Sequence, residues 1–192
     1  MDAAELLAAA SAGRLPDWAK AGPLRRAHMS RVADLMEAWA HRSGLAEGDV
    51  ARWRAAAWLH DALRDEDVDA LRSQVPEELQ DLPPKVLHGP AVAHRLEQDG
   101  VGDPALRLAV AYHTLGHPDL DRLGRALYLA DFLDPGRSFR TSWRASLRGR
   151  MPDDLDDVLR IVLGARIAYL LERGMTVRPE TTAFWNQLAS EH

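Results

Sequence analysis

Apolar residues recur at intervals of three and four positions along most of the chain, the spacing that places them on one face of an α-helix. The clearest case is the stretch 24–42, in which most charged residues lie off the apolar face and Gly44 follows as a stop. Its apolar stripe contains Leu24, Val32, Leu35, Met36 and Trp39. The pattern predicts a long amphipathic helix there.

Several further stretches have the same periodicity. One of them opens with Asp103 as an N-cap and Pro104 at the first helical position. The additional predicted helices cover residues 49–63, 66–74, 88–100, 103–114, 120–134, 153–173 and 179–190. No segment alternates apolar and polar residues for long enough to predict a strand. The sequence therefore predicts an all-α fold.

Composition narrows the function. The 192 residues suit one domain, and the net charge of −5 argues against a general nucleic-acid binder. The chain has no cysteine, so thiolate metal sites, disulfides and cysteine nucleophiles are excluded. Asp2 and Glu5 stand where a signal peptide would be basic, and no stretch approaches the ~20 apolar residues of a membrane span. A cytoplasmic protein without a membrane partner is expected.

Two acids stand in apolar surroundings. Asp61 follows His60 near the C-terminal end of an apolar helix, where the helix dipole disfavours a carboxylate. Asp131 lies in the apolar run LYLADFLD, where a carboxylate needs a cation or hydrogen-bond donors. A helix-end pair and a salt bridge to an arginine are the ordinary interpretations. A metal site is the other.

Three more histidines favour the metal site. His28 shares the apolar stripe of its helix, His88 opens a helix before Gly89, and His113 ends the apolar run LAVAYH. Inward-facing side chains from separate helices are how helical bundles build metal sites. Four histidines and two aspartates are more ligands than one tetrahedral zinc ion takes, and they suit a pair of ions with Asp61 between them. Imidazole and carboxylate ligands admit iron, manganese, zinc, cobalt or nickel.

These motifs resemble a known family. His28 in RRAHMSRVA, His60-Asp61 in WLHDAL and Asp131 in YLADFLDPGR resemble the H…HD…D pattern of HD-domain phosphohydrolases. HG at 88–89, YHTLG at 112–116 and LYLADFLDPGR at 127–137 resemble its YqeK-type branch, whose members cleave diadenosine tetraphosphate symmetrically into two ADP. The resemblance covers about residues 23–137.

The resemblance implies an HD-domain helical bundle at 23–137, preceded by an N-terminal segment at 1–22 and followed by a C-terminal helical extension at 138–192 on the same core. It also implies that His28, His60, Asp61 and Asp131 hold one iron, with His88 and His113 completing a second site. A divalent ion would activate water to hydrolyse a nucleotide phosphoanhydride.

Candidate substrate residues lie in or next to the same motifs. Arg64 stands where the family usually has a lysine after the HD pair, and an arginine can still bind a phosphate. Arg137, Thr114 and Gly116 are further candidates for substrate binding. Asp134, three residues after Asp131, is expected to orient a ligand histidine or the water, unless it is only an exposed acid at a helix end. Asp61, Arg64 and Asp134 are thus the candidate catalytic residues.

Alternatives remain open at this stage. The same site could act on another nucleotide or phosphoester, or the chain could be a non-catalytic, nucleotide-binding regulatory module. The presence of all six candidate ligands counts against the module. A homodimer is compatible with a helical enzyme of this size. Trp143, within the arginine-rich stretch 137–150, is expected to serve packing more than nucleobase stacking.

Overall fold

The computed structural model describes residues 2–191, and within that range it contains ten α-helices and no strand. This confirms the predicted all-α class. A 3-10 turn at Glu77–Leu79 lies in the proline-interrupted stretch before α5. The helices are α1 (Ala3–Ser11), α2 (Pro23–Arg42), α3 (Glu47–Leu59), α4 (Val68–Ser73), α5 (His88–Gln98), α6 (Pro104–Tyr112), α7 (Arg122–Phe132), α8 (Thr141–Arg150), α9 (Leu155–Glu172) and α10 (Pro179–Ser190).

Two helices were not expected from the pattern. In α1, Asp2 and Glu5 form a reciprocal capping box, and Leu6 and Ala10 are buried. In α8 only Arg144 and Leu147 are buried, so its arginine-rich sequence has no recurrent apolar positions from which a helix could be predicted. Both are short, and neither shows a clear apolar stripe, because α1 is apolar at almost every position and α8 has few apolar residues.

Three predicted helices are too long at their C-terminal ends. Helix α3 ends at Leu59, α6 at Tyr112 and α7 at Phe132. His60, Asp61 and His113 therefore lie in the first turn beyond a helix. At such an end the last carbonyls have no helical partner and are free to accept other hydrogen bonds.

The core is continuous. Helix α3 packs against α1 and α2 on one side and contacts α6 and α7 on the other. Helix α9 packs on α7, with Val158, Leu159 and Val162 fully buried, and α10 packs on α9. No helix of the described residues is long and apolar enough to cross a membrane.

Gly89 brings two helices close together. A Cβ at Gly89 would lie 2.6 Å from the carbonyl oxygen of Ala111 and 2.9 Å from that of Val110. Its role is therefore the close approach of α5 to α6. The approach places His88 next to His113.

Candidate metal centre

The six predicted ligand side chains lie together at the centre of the bundle. His28 comes from α2 and Asp131 from α7. His60 and Asp61 come from the turn after α3, His88 opens α5, and His113 follows α6. Five separate segments of the chain thus meet at one place.

Asp61 divides the cluster into two sides. Its Oδ2 lies 3.7 Å from His28 Nε2 and 3.6 Å from His60 Nε2. Its Oδ1 lies 3.0 Å from His88 Nε2 and 3.6 Å from His113 Nε2. One carboxylate therefore presents one oxygen to each pair of imidazoles, and the place of Asp61 between two ions stays a prediction.

Two groups of three residues have the spacing that a metal ion needs. Candidate ligand atoms of His28, His60 and Asp131 all lie within 4.8 Å of one another, and so do those of His60, Asp61 and His113. His28 Nε2 is 3.1 Å from Asp131 Oδ1. Because His60 belongs to both groups, the two groups form one compact cluster.

Backbone carbonyls fix the orientation of two histidines. His60 Nδ1 donates to Ala57 O and His113 Nδ1 donates to Val110 O, both over 2.7 Å. A carbonyl can only accept, so in each ring the proton is on Nδ1 and the lone pair is on Nε2, facing the cluster. The helix ends that precede these residues supply the carbonyls.

The cluster is buried, and part of it is unsatisfied by protein groups. His60 is fully buried, and its Nε2 has no hydrogen-bond partner among residues 2–191, nor has His28 Nε2. Buried polar atoms without partners are costly and rare. Divalent metal binding fits these atoms, because imidazole nitrogens and carboxylates are the ligand types it requires.

Burial and neighbouring charge shift the pKa values of the cluster. Burial lowers the pKa of His60 to about 4, and it lowers the pKa of His88 as well. Burial opposes ionisation of Asp61, but the adjacent imidazoles outweigh it and hold the pKa of Asp61 well below its ordinary range. His60 and His88 are thus neutral and Asp61 is ionised at neutral pH.

Asp134 is buried behind His28 rather than exposed at a helix end. Its Oδ2 accepts a hydrogen bond from His28 Nδ1 over 2.7 Å. Arg31 donates to both of its oxygens, over 2.7 and 2.9 Å, and the Gly136 amide also donates to it. These contacts outweigh the cost of burial and lower the pKa of Asp134. The geometry is that of a carboxylate which orients a histidine.

Two arginines reach the ligand carboxylates. Arg25 Nη1 donates to Asp61 Oδ2 over 2.6 Å. Arg137 pairs with the Asp131 carboxylate, and its Nε donates to the backbone carbonyl oxygen of Asp131 over 3.1 Å. Arg137 was predicted to bind substrate, whereas Arg25 was missed. The spacing between Arg25 and His28 on α2 could have found it, since residues three apart share a helix face.

The other predicted substrate residues lie around the cluster. Arg64 is half-buried in the turn after Asp61, and its charge contributes, after burial, to the lowered pKa of His88. Thr114 Oγ1 lies 3.0 Å from His113 Nε2. Gly116 has a φ of +76°, and a Cβ there would collide with the Phe184 ring. Packing against α10 accounts for this glycine, and its role in substrate binding stays a prediction.

Comparison with known proteins gives a family. The family model described as "HD domain" matches residues 25–136, more than half of the chain. The chain is 29% identical over 149 residues to the symmetrical bis(5'-nucleosyl)-tetraphosphatase of Halalkalibacterium halodurans, covering 74% of this chain and 79% of that one. It is 29% identical over 120 residues to the protein of the same name from Bacillus subtilis, covering 62% and 63%.

A third relative and a solved structure agree with this. The protein of the same name from Staphylococcus aureus is 23% identical over 141 residues, covering 70% of this chain and 73% of the relative. A crystal structure described as a predicted HD superfamily hydrolase involved in NAD metabolism, from Clostridium acetobutylicum, is 23% identical. It superposes with a TM-score of 0.78 over 89% of this chain and 92% of the other, which shows the shared fold.

Proposed function

This chain belongs to the HD-domain family and is a metal-dependent phosphohydrolase, and from that premise we propose that it hydrolyses diadenosine tetraphosphate symmetrically to two ADP. The observation that carries the proposal is the two-sided cluster around Asp61, which suits the cleavage of a bond between two phosphates. The choice of substrate rests on relatives that carry the name of a symmetrical bis(5'-nucleosyl)-tetraphosphatase.

The candidate ligands have distinct places in the proposal. His28, His60, Asp61 and Asp131 would hold one divalent ion, and His88 and His113 would complete a second site. When bound, a divalent ion polarises phosphoryl oxygens and lowers the pKa of water. Iron is the metal implied by the family resemblance, and manganese, zinc, cobalt and nickel suit the same ligand types.

The protein groups around the ligands would bind and orient the substrate. Arg25 and Arg137 touch the ligand carboxylates and would place positive charge beside phosphate oxygens. Thr114 lies at the other side, next to His113, and the charge of Arg64 acts on His88 there. Asp134 would hold the His28 ring in position through its hydrogen bond to Nδ1.

The test is product analysis on protein loaded separately with each candidate metal. We expect ADP as the sole nucleotide product of diadenosine tetraphosphate, identified by anion-exchange chromatography and mass spectrometry. Asp61→Asn should lower the rate more than about 100-fold, because it removes the carboxylate between the two sides. Asp119→Asn, at an exposed acid outside the cluster, is the matched control.

Other outcomes would contradict the proposal. ATP plus AMP would show asymmetric cleavage. Turnover of a nucleoside monophosphate or another phosphoester, without turnover of diadenosine tetraphosphate, would assign the site to a different substrate. Nucleotide binding without hydrolysis of any substrate would favour a regulatory module.

A further inference from the structure

A second feature lies beside the metal centre. A cavity of about 610 Å³ runs between α7, α8 and α9, and His113 and Asp131 form part of its wall. We refer to it as the α7–α9 cavity. Its volume lies within the roughly 300–1,000 Å³ of small-molecule sites. Most of its wall comes from the C-terminal extension, outside the part of the chain that carries the HD motifs.

The wall of this cavity is strongly basic although the whole chain is acidic. Five arginines line it, against two carboxylates. Of these five arginines, only Arg137 has a carboxylate of residues 2–191 within 4.0 Å, that of Asp131. The arginines without such a partner are Arg140, Arg144, Arg166 and Arg173. A group of guanidinium ions without carboxylate partners favours an anionic ligand such as a polyphosphate.

Aromatic rings alternate with these arginines. Phe132 and Trp143 pack edge to face, with ring centroids 6.1 Å apart. The guanidinium of Arg140 lies 5.4 Å from the ring centroid of Phe139 and 5.5 Å from that of Trp143. Phe139 lines the cavity and is 67% exposed, so much of its side chain is accessible to a ligand. Aromatic faces beside arginines are the arrangement on which nucleobases stack.

Two further details indicate a ligand. Arg140 has a φ of 50°, a left-handed conformation that is uncommon outside glycine. The hydroxyl of Tyr128, which also lines the cavity, is buried and has no hydrogen-bond partner within residues 2–191. Strained backbone and unsatisfied buried donors cluster at binding sites.

We propose that the α7–α9 cavity binds one nucleoside end of the substrate, with the base stacked on Trp143 and the adjoining phosphates held by Arg140 and Arg144. The phosphate chain would then run toward Asp131 and His113. The sequence alone favours packing for Trp143, and its position in this cavity changes that interpretation. The inference rests on the proposed function, because it assigns a place to half of that substrate.

Equilibrium binding separates the base from the phosphates. We would measure the affinity of metal-loaded protein for ADP and for inorganic tripolyphosphate by calorimetry. Trp143→Ala should weaken ADP binding about tenfold and leave tripolyphosphate binding unchanged. Arg140→Ala should weaken the binding of both ligands. The control is Arg14→Ala, at an exposed arginine far along the chain that lines no part of this cavity.

Trp143 is half-buried, and Trp143→Phe keeps an aromatic ring, so this second variant should retain most of the ADP affinity. Thermal melting checks that each variant is folded. ADP affinity that stays within about twofold of wild type in folded Trp143→Ala would overturn the inference. The inference would also be overturned if the protein bound a single-stranded oligonucleotide more tightly than ADP and Arg140→Ala abolished that binding. The cavity would then be a nucleic-acid surface.

The proposed function and this inference can fail separately. If diadenosine tetraphosphate is cleaved to ADP but Trp143→Ala leaves ADP affinity unchanged, only the nucleoside site is wrong. If no cleavage occurs but ADP binding depends on Trp143, the nucleoside site stands and the proposed reaction is wrong.

Discussion

At the scale of single residues, Asp134 links the metal centre to α2. Its carboxylate accepts hydrogen bonds from His28, from Nε and Nη2 of Arg31 and from the Gly136 amide. Gly136 matters to this arrangement, because a Cβ there would collide with the Arg31 guanidinium. The network sets the ring orientation of His28, whose Nε2 faces Asp131.

Asp134→Asn should weaken metal binding about 10–100-fold while the protein stays folded. The amide cannot accept from His28 and from both Arg31 donors at once, so the imidazole loses its fixed orientation. Competition titration against a chelator measures the affinity. Asp17→Asn, at an exposed acid, is the control. Unchanged affinity in Asp134→Asn would show that His28 is held by packing alone.

The sequence singles out the candidate ligands and Arg137, but it does not single out Arg25 and Arg31. Asp61 and Asp131 stood out because a carboxylate within an apolar run requires a partner. Arg25 and Arg31 looked like surface charges of an amphipathic helix, because the sequence does not show which acids lie opposite them. Their roles depend on contacts across 36 and 103 positions of the chain.

At the scale of helices, the contact between α5 and α6 sets the distance between His88 and His113, whose Nε2 atoms lie 3.1 Å apart. Gly89→Ala would push its Cβ against the Ala111 carbonyl, so the two helices must separate. We expect a loss of about 1–3 kcal/mol in the free energy of unfolding, together with weaker metal binding.

The matched control is Gly48→Ala in α3, where a Cβ meets nothing within 4 Å. Replacing a helical glycine in open space should stabilise the protein by about 0.5–1 kcal/mol. Urea denaturation of both variants checks the pair. Equal stability of Gly89→Ala and wild type would contradict the account of the close approach.

Helix α6 starts at a charged cap. Arg52 donates to both oxygens of Asp103, over 2.5 and 2.9 Å, and the Leu106 amide donates to Oδ1. The Arg52 hydrogen bond is the largest factor that lowers the pKa of Asp103 below its ordinary 3.8. A lowered folded-state pKa stabilises the fold above pH 3.8, and the contribution is lost as the pH falls below that value.

Asp103→Ala should therefore lower the free energy of unfolding by about 1 kcal/mol at neutral pH. The difference from wild type should shrink as the pH falls below 3.8. Urea titrations over a pH series measure it, with Asp17→Ala, at an exposed acid, as the reference. A difference that stays constant down to acid pH would mean that the charge of Asp103 contributes nothing.

Most helices were predictable at this scale, and their ends were not. Periodicity located α2, α9 and α10 to within a few residues. The helices that lead into His60, His113 and Asp134 end earlier than their apolar patterns suggest. Near the ends of α3 and α6 a backbone carbonyl accepts a hydrogen bond from a histidine side chain, and at the end of α7 the carbonyls of Phe132 and Leu133 accept from arginines. An apolar pattern does not record these bonds.

At the scale of the whole molecule, the C-terminal extension contacts the residues of the site. Phe184 in α10 is fully buried, with its ring against Gly116 and its centroid 6.0 Å from that of Tyr128. Thr181 Oγ1 donates to Leu115 O over 2.8 Å. The predicted boundary between the bundle at 23–137 and the extension at 138–192 therefore marks where the sequence motifs end. The hydrophobic core includes residues from both sides of it.

Phe184→Ala should lower the free energy of unfolding by about 3–5 kcal/mol, because it leaves a cavity between α10 and the turn after α6. Calorimetry should show a single transition in both proteins, shifted to lower temperature in the variant. Leu171→Ala, at a side chain that is 64% exposed, should change little. Two separate transitions would indicate that the extension folds as its own unit.

The central claim is that imidazoles and carboxylates from five segments of the chain hold a common divalent metal. The most direct measurement is the metal content of the purified protein by mass spectrometry, compared between wild type and folded His60→Ala, since His60 belongs to both candidate groups. We predict about one divalent ion or more per wild-type chain and loss of most of it in the variant. Equal metal content in the two proteins would contradict the account.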